Sequence, residues 1–211
     1  MFAGKTTALI RALNKKDRNS VVLLKHCKDV RYPVYKQVVT HTGLSYPCVI
    51  IQSLNDLDIN TYKCCSTIAI DEGQFFPEIY ETASKWANHG KEVIVAAISN
   101  GTFMEPLKPI SKLMAIADYV TVLKIPCVSC EAPANFSFRK TAFPEHEDPS
   151  SPSFFVGGFE AYETLCRRCF IKRIQCDRQE RLGMFGGNGV NKLEPLLSEI
   201  FVQDVDINGN V

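Results

Sequence analysis

The chain has 211 residues, enough for one large domain or for one domain with a small appendage. Hydrophobic residues make up 45% and charged residues 22%, which supports a globular core and argues against disorder. Lys+Arg (24) and Asp+Glu (23) leave a net charge of +1, which argues against a nucleic-acid partner. The sequence shows neither the roughly 18-residue apolar run of a membrane-spanning helix nor a signal-peptide pattern, so we expect a cytoplasmic protein without a membrane partner.

Strands alternate with helices in the first part of the chain, which predicts βαβ units and a mainly parallel sheet. Helices are expected where apolar residues recur at helical spacing, and buried strands are expected where apolar residues occupy successive positions. In chain order the predictions are a helix over 6–15, strands over 20–26, 48–52 and 66–72, a helix over 76–89 ended by Gly90, a strand over 91–99, a helix over 110–117 and a strand over 119–125. Residues 1–126 are therefore predicted to form an α/β domain, and the motifs below make it a candidate nucleotide-binding domain.

The composition of the chain changes after Pro126. Residues 127–170 hold two Cys-x-x-Cys pairs, several prolines and serines, and no helical period. This predicts a small metal-organised domain over 127–175. The tail over 184–211 is rich in Gly and Asn before it becomes amphipathic, and we expect it to be flexible.

Gly4-Lys5-Thr6 is the closing half of the phosphate-binding pattern G-x-x-x-x-G-K-[ST]. In that pattern helix N-terminal amides cradle phosphates, Lys5 would reach the terminal phosphates and the Thr6 hydroxyl would bind Mg²⁺. The pattern's first glycine and its feeding strand do not precede these residues, so a solvated lysine beside a helix cap is the competing interpretation. We therefore expect weak or no activity from the 211-residue chain compared with one extended upstream.

Asp71 and Glu72 close the predicted strand over 66–72. An acidic residue at this place can hold Mg²⁺, and an adjacent carboxylate can take a proton from a substrate hydroxyl. The alternative is that both carboxylates serve only as the cap and first turn of the next helix. Phe75 and Phe76 follow in the loop, where they could stack on a planar base, although core packing is the commoner role for such aromatics.

Four of the nine cysteines form two pairs, Cys127-x-x-Cys130 and Cys166-x-x-Cys169, separated by 35 residues. Each pair can supply two thiolates from one turn, and two turns complete a tetrahedral zinc site with no open position. The sequence therefore predicts structural Zn²⁺. The remaining cysteines follow no pattern and are interpreted as bystanders.

These motifs together resemble the cytosolic, zinc-containing (type II) thymidine kinases. The resemblance runs from Met1 to about Arg173. It is carried by MFAGKTT (1–7), KDVRY (28–32), DEGQFFPEI (71–79), KEVIVAA (91–97), GTF (101–103), CVSC (127–130) and GGFEAYETLCRRC (157–169).

The resemblance implies a P-loop NTPase-type α/β domain with a mainly parallel sheet, and a small zinc-ribbon domain carrying a lasso loop. It implies transfer of the γ-phosphoryl group of ATP, with Mg²⁺, to the 5′-hydroxyl of thymidine, giving dTMP and ADP in a homo-oligomer, tetramer or dimer. It implies a general base at Glu72 and nucleotide or Mg²⁺ contacts at Gly4, Lys5, Thr6, Thr7, Asp29, Arg31, Asp71 and Gln74. It implies thymidine contacts at Phe75, Phe103, Val156, Gly157, Gly158 and Tyr162, with structural Zn²⁺ on Cys127, Cys130, Cys166 and Cys169.

Some positions depart from the family pattern. Ser99-Asn100 stands where the family usually has Leu-Asp, and Leu107 stands where a Phe is common. These departures keep open a kinase with a broader deoxynucleoside range, and the incomplete phosphate-binding pattern keeps open a catalytically impaired relative. A zinc-ribbon nucleic-acid module is a further alternative. The support for this alternative is a basic cluster formed by Arg167, Arg168, Lys172 and Arg173. We interpret this cluster instead as a solvated helix face or an interface.

Overall fold

The structure is a computed structural model that describes residues 2–29, 36–40, 42–57, 63–140 and 158–185, with side chains described as far as residue 177. In chain order its α-helices and strands are α1 (Lys5–Leu13), β1 (Val21–His26), β2 (Gln37–Val39), β3 (Ser45–Pro47), β4 (Val49–Ile51), β5 (Thr67–Asp71), α2 (Ile79–Asn88), β6 (Glu92–Val95), α3 (Lys108–Ile116), β7 (Ile125–Pro126), β8 (Pro133–Ala134), β9 (Phe136–Arg139), β10 (Tyr162–Leu165) and α4 (Arg167–Phe185). The chain divides after Ile174 into two compact units, and all the side-chain contacts discussed below lie in the first.

The main sheet is parallel throughout, with the strand order β4-β1-β5-β6. β1 and β5 are buried along almost their whole length, because a parallel sheet is covered on both faces and selects continuous apolar runs. Their register places Lys25 beside Asp71, so both strands end at the same edge of the sheet. The predicted α/β class with a mainly parallel sheet is confirmed.

Two apolar cores cover the two faces of this sheet. Successive side chains of a strand point to opposite faces, and in β5 Ile68 and Ile70 enter one core while Ala69 enters the other. The first core also takes side chains from α2 and α3, and the second is closed by α1. In the described part of the chain, no helix is both long and apolar enough to cross a bilayer.

The strand predicted over 119–125 is wrong for most of its length. Tyr119 is 94% exposed and Val122 is 57% exposed, and residues 119–124 have no strand assignment. Only the end of the predicted strand, β7, pairs with a neighbour, β8. β propensity reports how well a side chain fits a half-buried pleated surface, and here no described strand provides that surface.

The two cysteine pairs lie in a small region that we call the cysteine module, formed by the described residues from 125 to 140 and from 158 to 174. It contains the antiparallel pairs β7–β8 and β9–β10 and the first part of α4. Its buried core is small and consists of Cys127, Ala134, Phe138, Leu165 and Phe170. A core of this size gives little hydrophobic stabilisation, so the module needs a further link to hold its fold.

The stability of the first unit is expected to fall on acidification because of His26. This residue is 3% exposed, and its ring packs edge-on against Phe76 at a centroid distance of 4.8 Å. Burial first, and the positive charge of Lys28 second, lower the pKa of His26 below its ordinary value. The unfolded chain therefore binds the proton more readily, so the contribution of neutral His26 is present above about pH 6.5 and is lost as the pH falls below it.

The test is thermal unfolding between pH 5 and 8 for the native chain and for His26→Gln. We expect the loss of stability below pH 6.5 to be shallower in the variant. His89→Gln is the matched control, because His89 is exposed at the end of α2. An identical pH slope in the native chain and in His26→Gln would show that other groups cause the acid sensitivity.

Candidate active site

The predicted phosphate-binding segment lies at the N-terminus of α1. Gly4 has left-handed backbone angles (φ 74°, ψ 23°), a conformation that glycine adopts without steric cost. Lys5, Thr6 and Thr7 form the first turn of α1 and are half-buried. That turn contains no acidic side chain, so its backbone N–H groups and the helix dipole favour an anion.

Thr6 and Asp71 are 65 positions apart in sequence and in direct contact in the structure. The Thr6 hydroxyl lies within donating distance of both carboxylate oxygens, 3.1 Å from Oδ1 and 3.2 Å from Oδ2. Asp71 is 2% exposed at the end of β5. A hydroxyl and a carboxylate are the oxygen ligands that Mg²⁺ takes at phosphate sites, so these residues fit the ion.

Glu72 stands on a strained turn directly after β5. Its backbone is left-handed (φ 51°, ψ 48°), which is uncommon for a non-glycine residue and is found at functional sites. The turn continues into Gly73, where an added Cβ would lie 2.7 Å from Val95 Cγ1, so a side chain at 73 would clash with β6. The chain thus leaves β5 at Glu72 through a turn that has no room for a side chain at position 73.

Gln74 holds the Glu72 carboxylate in place. Its side-chain amide donates to Glu72 Oε2, and its carbonyl oxygen accepts from the backbone N–H of Ile98 at 3.2 Å. Because Ile98 follows β6, the Gln74 amide is oriented from a neighbouring strand. The predicted base therefore has an anchored orienting partner in the same loop.

Lys25 is a charged residue of this sheet edge that the sequence interpretation missed. It is 4% exposed, and its Nζ lies 3.5 Å from Oδ2 of Asp29, itself 6% exposed. Since Lys25 is also the register partner of Asp71, its positive charge lies among buried carboxylates. A lysine inside an otherwise apolar buried run was the available signal, but the run was interpreted only as a strand.

The two loop aromatics have different environments. Phe76 is fully buried in the core below α2. Phe75 is half-buried, with its ring centroid 5.7 Å from that of His26. Core packing thus accounts for Phe76, while Phe75 keeps part of its surface accessible beside Glu72.

The other predicted thymidine contacts lie on separate elements. Phe103 is 76% exposed on the turn between β6 and α3, and Tyr162 is 3% exposed within β10. Gly158 precedes β10 and is half-buried. Three predicted site residues lie outside the described residues: Arg31, Val156 and Gly157.

The four paired cysteines come together as one cluster. The Sγ atoms of Cys127, Cys130, Cys166 and Cys169 all lie within 4.8 Å of one another, and those of Cys130 and Cys166 are 3.6 Å apart. Tetrahedral zinc with Zn–S bonds of about 2.3 Å sets the sulfurs about 3.8 Å apart, so the cluster fits this ion. Four protein ligands leave no open position, which is typical of a structural site.

The thiols of the cluster shift in opposite directions, because hydrogen bonds with the side chains of Cys130 and Cys166 raise the pKa of Cys169. Burial raises the pKa of Cys127, but hydrogen bonds with the backbone of Cys166, Ser129 and Cys130 outweigh that effect and lower the pKa of Cys127 to about 6. The hydrogen bond with the Cys130 side chain acts in the same direction. Backbone donors of this kind orient thiolates in tight turns.

Comparison with known proteins supports one family. The sequence model of the family described as Thymidine kinase matches residues 1–170. The thymidine kinase of Yaba monkey tumor virus (strain VR587) is 39% identical over 175 residues, covering 82% of this chain and 91% of the relative. Thymidine kinase 1 of Dictyostelium discoideum is 35% identical over 179 residues, covering 81% and 74%. Thymidine kinase a of Arabidopsis thaliana is 34% identical over 178 residues, covering 81% and 71%. The chain therefore belongs to the thymidine kinase family.

Proposed function

We propose that this protein transfers the γ-phosphoryl group of ATP to the 5′-hydroxyl of thymidine, giving dTMP and ADP. The observation that carries the proposal is the contact between Thr6 and Asp71 at the sheet edge where Glu72 occupies its strained turn. Phosphoryl transfer depends on positioning and on electrostatic stabilisation, and this edge offers an anion site, a metal site and a base together.

The phosphate side of the reaction is assigned to α1. Gly4 and the amides of Lys5, Thr6 and Thr7 would bind the ATP phosphates, and the Lys5 ammonium would stabilise charge on the transferred group. Asp71 and Thr6 would hold Mg²⁺, which supplies charge neutralisation on the phosphates when bound. Asp29 would also contact the nucleotide, and its carboxylate is paired with the Lys25 ammonium. Arg31 is assigned to the nucleotide by the resemblance alone.

Glu72 is proposed as the general base. It would orient the 5′-hydroxyl and accept its proton as the phosphoryl group is transferred. Glu72 is buried, with 8% of its surface exposed, and the Gln74 amide holds its carboxylate by a hydrogen bond. A base must be in place before transfer, and the left-handed turn together with the Gln74 amide pre-organises this one.

The thymidine side is assigned to Phe75, Phe103, Tyr162 and the segment that includes Gly158. Backbone groups of Val156, Gly157 and Gly158 would pair with the polar edge of thymine, since a mismatched base leaves such groups unpaired. A broader deoxynucleoside range remains the alternative, based on Ser99-Asn100 and Leu107. Structural Zn²⁺ on the cysteine cluster and a homo-oligomer are proposed with this function.

A direct assay tests the proposal. Purified protein is incubated with ATP, Mg²⁺ and thymidine, and dTMP is separated by chromatography, with deoxycytidine and deoxyguanosine in parallel. We expect dTMP formation that requires Mg²⁺ and exceeds formation of the other products. Equal use of all three nucleosides would favour the broader range, and no dTMP would reject the assignment for this chain.

Thr6→Ala is expected to lower kcat about 10- to 100-fold, the range for losing a hydrogen bond to a charged group. The change removes the hydroxyl that contacts Asp71 and would ligate Mg²⁺. Thr6→Ser is the matched control, because it keeps the hydroxyl and removes only a methyl group. Steady-state rates across a Mg²⁺ titration provide the measurement, and equal rates for both variants would remove Thr6 from the metal site.

A further inference from the structure

The turn between β6 and α3 contains a second strained residue, Met104. Its backbone φ is 63°, in the left-handed region that favours glycine. The turn around it is closed by hydrogen bonds: Gly101 N–H donates to the Glu105 carbonyl at 2.9 Å, and Met104 N–H donates to the Gly101 carbonyl at 3.2 Å. Phe103 N–H donates to the Glu105 carboxylate at 2.8 Å. Phe103 therefore projects from a turn whose geometry depends on Met104.

A left-handed methionine persists only where its surroundings hold it. The Met104 side chain packs against the buried core of the cysteine module, 20 or more positions along the chain. Arg167 Nη1 lies 3.9 Å from Met104 Sδ, and the Arg167 guanidinium lies over the Phe136 ring at 4.9 Å from its centroid. The side chain of Met104 thus occupies an apolar and cationic niche that belongs to the module.

These contacts explain why the strained backbone of Met104 is retained. Its side chain links the Phe103 turn to the cysteine module, and we call this link the anchor. Glycine would suit the backbone at 104 but could not reach the module, whereas methionine is long and adaptable enough to fill an irregular site. The anchor spans from the turn that carries Phe103 to the start of α4, beside Cys166. Arg167 belongs to the basic cluster noted in the sequence, and its guanidinium contacts the Met104 side chain at this link.

We infer that Met104 is a positioning residue that ties the Phe103 turn to the cysteine module and so sets the thymidine-binding geometry. The inference rests on the proposed function for its effect on thymidine, but the anchoring itself is independent of activity. Without the anchor the turn samples other conformations, and the bound geometry is populated for a smaller fraction of the time. The apparent KM for thymidine rises by the same factor by which this fraction falls, while ATP binding on α1 is unaffected.

The test compares Met104→Gly with Met104→Leu. Glycine accepts the left-handed φ, so the backbone turn remains possible while the side-chain contact is lost. Leucine keeps most of the apolar contact. We expect KM for thymidine to rise about 5- to 10-fold in the glycine variant, with kcat, KM for ATP and zinc content within about two-fold of the native chain, and the leucine variant to be near native.

Two further measurements separate anchoring from activity and from folding. Hydrogen exchange of the peptide 99–107 should be faster in Met104→Gly than in the native chain and near native in Met104→Leu. Arg167→Gln, which removes the contact to Sδ, should change exchange and KM in the same direction by a smaller factor.

Unchanged exchange and unchanged KM in Met104→Gly would overturn the inference. So would loss of zinc from that variant, because Met104 would then support the module rather than the turn. If the native chain does not phosphorylate thymidine but exchange still rises in Met104→Gly, the proposed function fails and the anchoring stands.

Discussion

Glu72→Gln should lower kcat for thymidine phosphorylation by about 10²- to 10⁴-fold, the range for removing a positioned general base. Glutamine keeps the size of the side chain and can still hydrogen-bond to Gln74, but it cannot accept the proton of the 5′-hydroxyl. ATP affinity should stay within about two-fold, because the phosphates are assigned to the N-terminus of α1 and not to Glu72. Steady-state kinetics gives kcat, and calorimetry with a non-hydrolysable ATP analogue gives affinity.

The matched control is Glu81→Gln, the same chemical change at an exposed position of α2. It should leave kcat and ATP affinity unchanged. A Glu72→Gln variant with native kcat would remove this residue from the mechanism. A variant that loses ATP binding together with turnover would instead indicate that Glu72 supports the fold of the phosphate site.

The sequence predicted the parts of the fold that have a local signature. The runs over 20–26 and 66–72 became β1 and β5, because a strand buried on both faces must be apolar at successive positions. The β2–β3 hairpin was not predicted, since strands of three residues are too short to show a period. The run over 119–124 has strand composition but no described partner, and pairing is a long-range property that composition does not encode.

The candidate site also contains residues that a local motif predicts and residues whose role depends on long-range contacts. Thr6 and Asp71 were predicted for one metal because motifs select residue types suited to a chemistry, and the structure places them in contact. Lys25, Gln74 and Met104 act through their contacts with other residues. Their contributions depend on the strand register, on the Ile98 amide and on the cysteine module respectively. Gln74 was predicted as a nucleotide or Mg²⁺ contact and not as a partner of Glu72, and the other two were not singled out at all.

Replacing Cys130 and Cys169 by serine is expected to remove about one Zn²⁺ per chain and to unfold the cysteine module. The module's buried core contains five residues, so the metal link supplies most of what holds β7–β10 and the start of α4 together. Loss of a structural metal is among the few single causes of a large stability change. We expect a cost of about 4 kcal/mol and a Tm about 10 °C lower.

Cys176→Ser is the matched control, because Cys176 is an exposed free thiol outside the cluster. It should keep its zinc and its Tm. Metal analysis after exhaustive dialysis and thermal unfolding of both variants provide the measurements. Full zinc content in the double variant would show that other residues ligate the ion. Loss of zinc with an unchanged Tm would show that the module's small apolar core is sufficient, and would reverse the energetic argument for a structural metal in this fold.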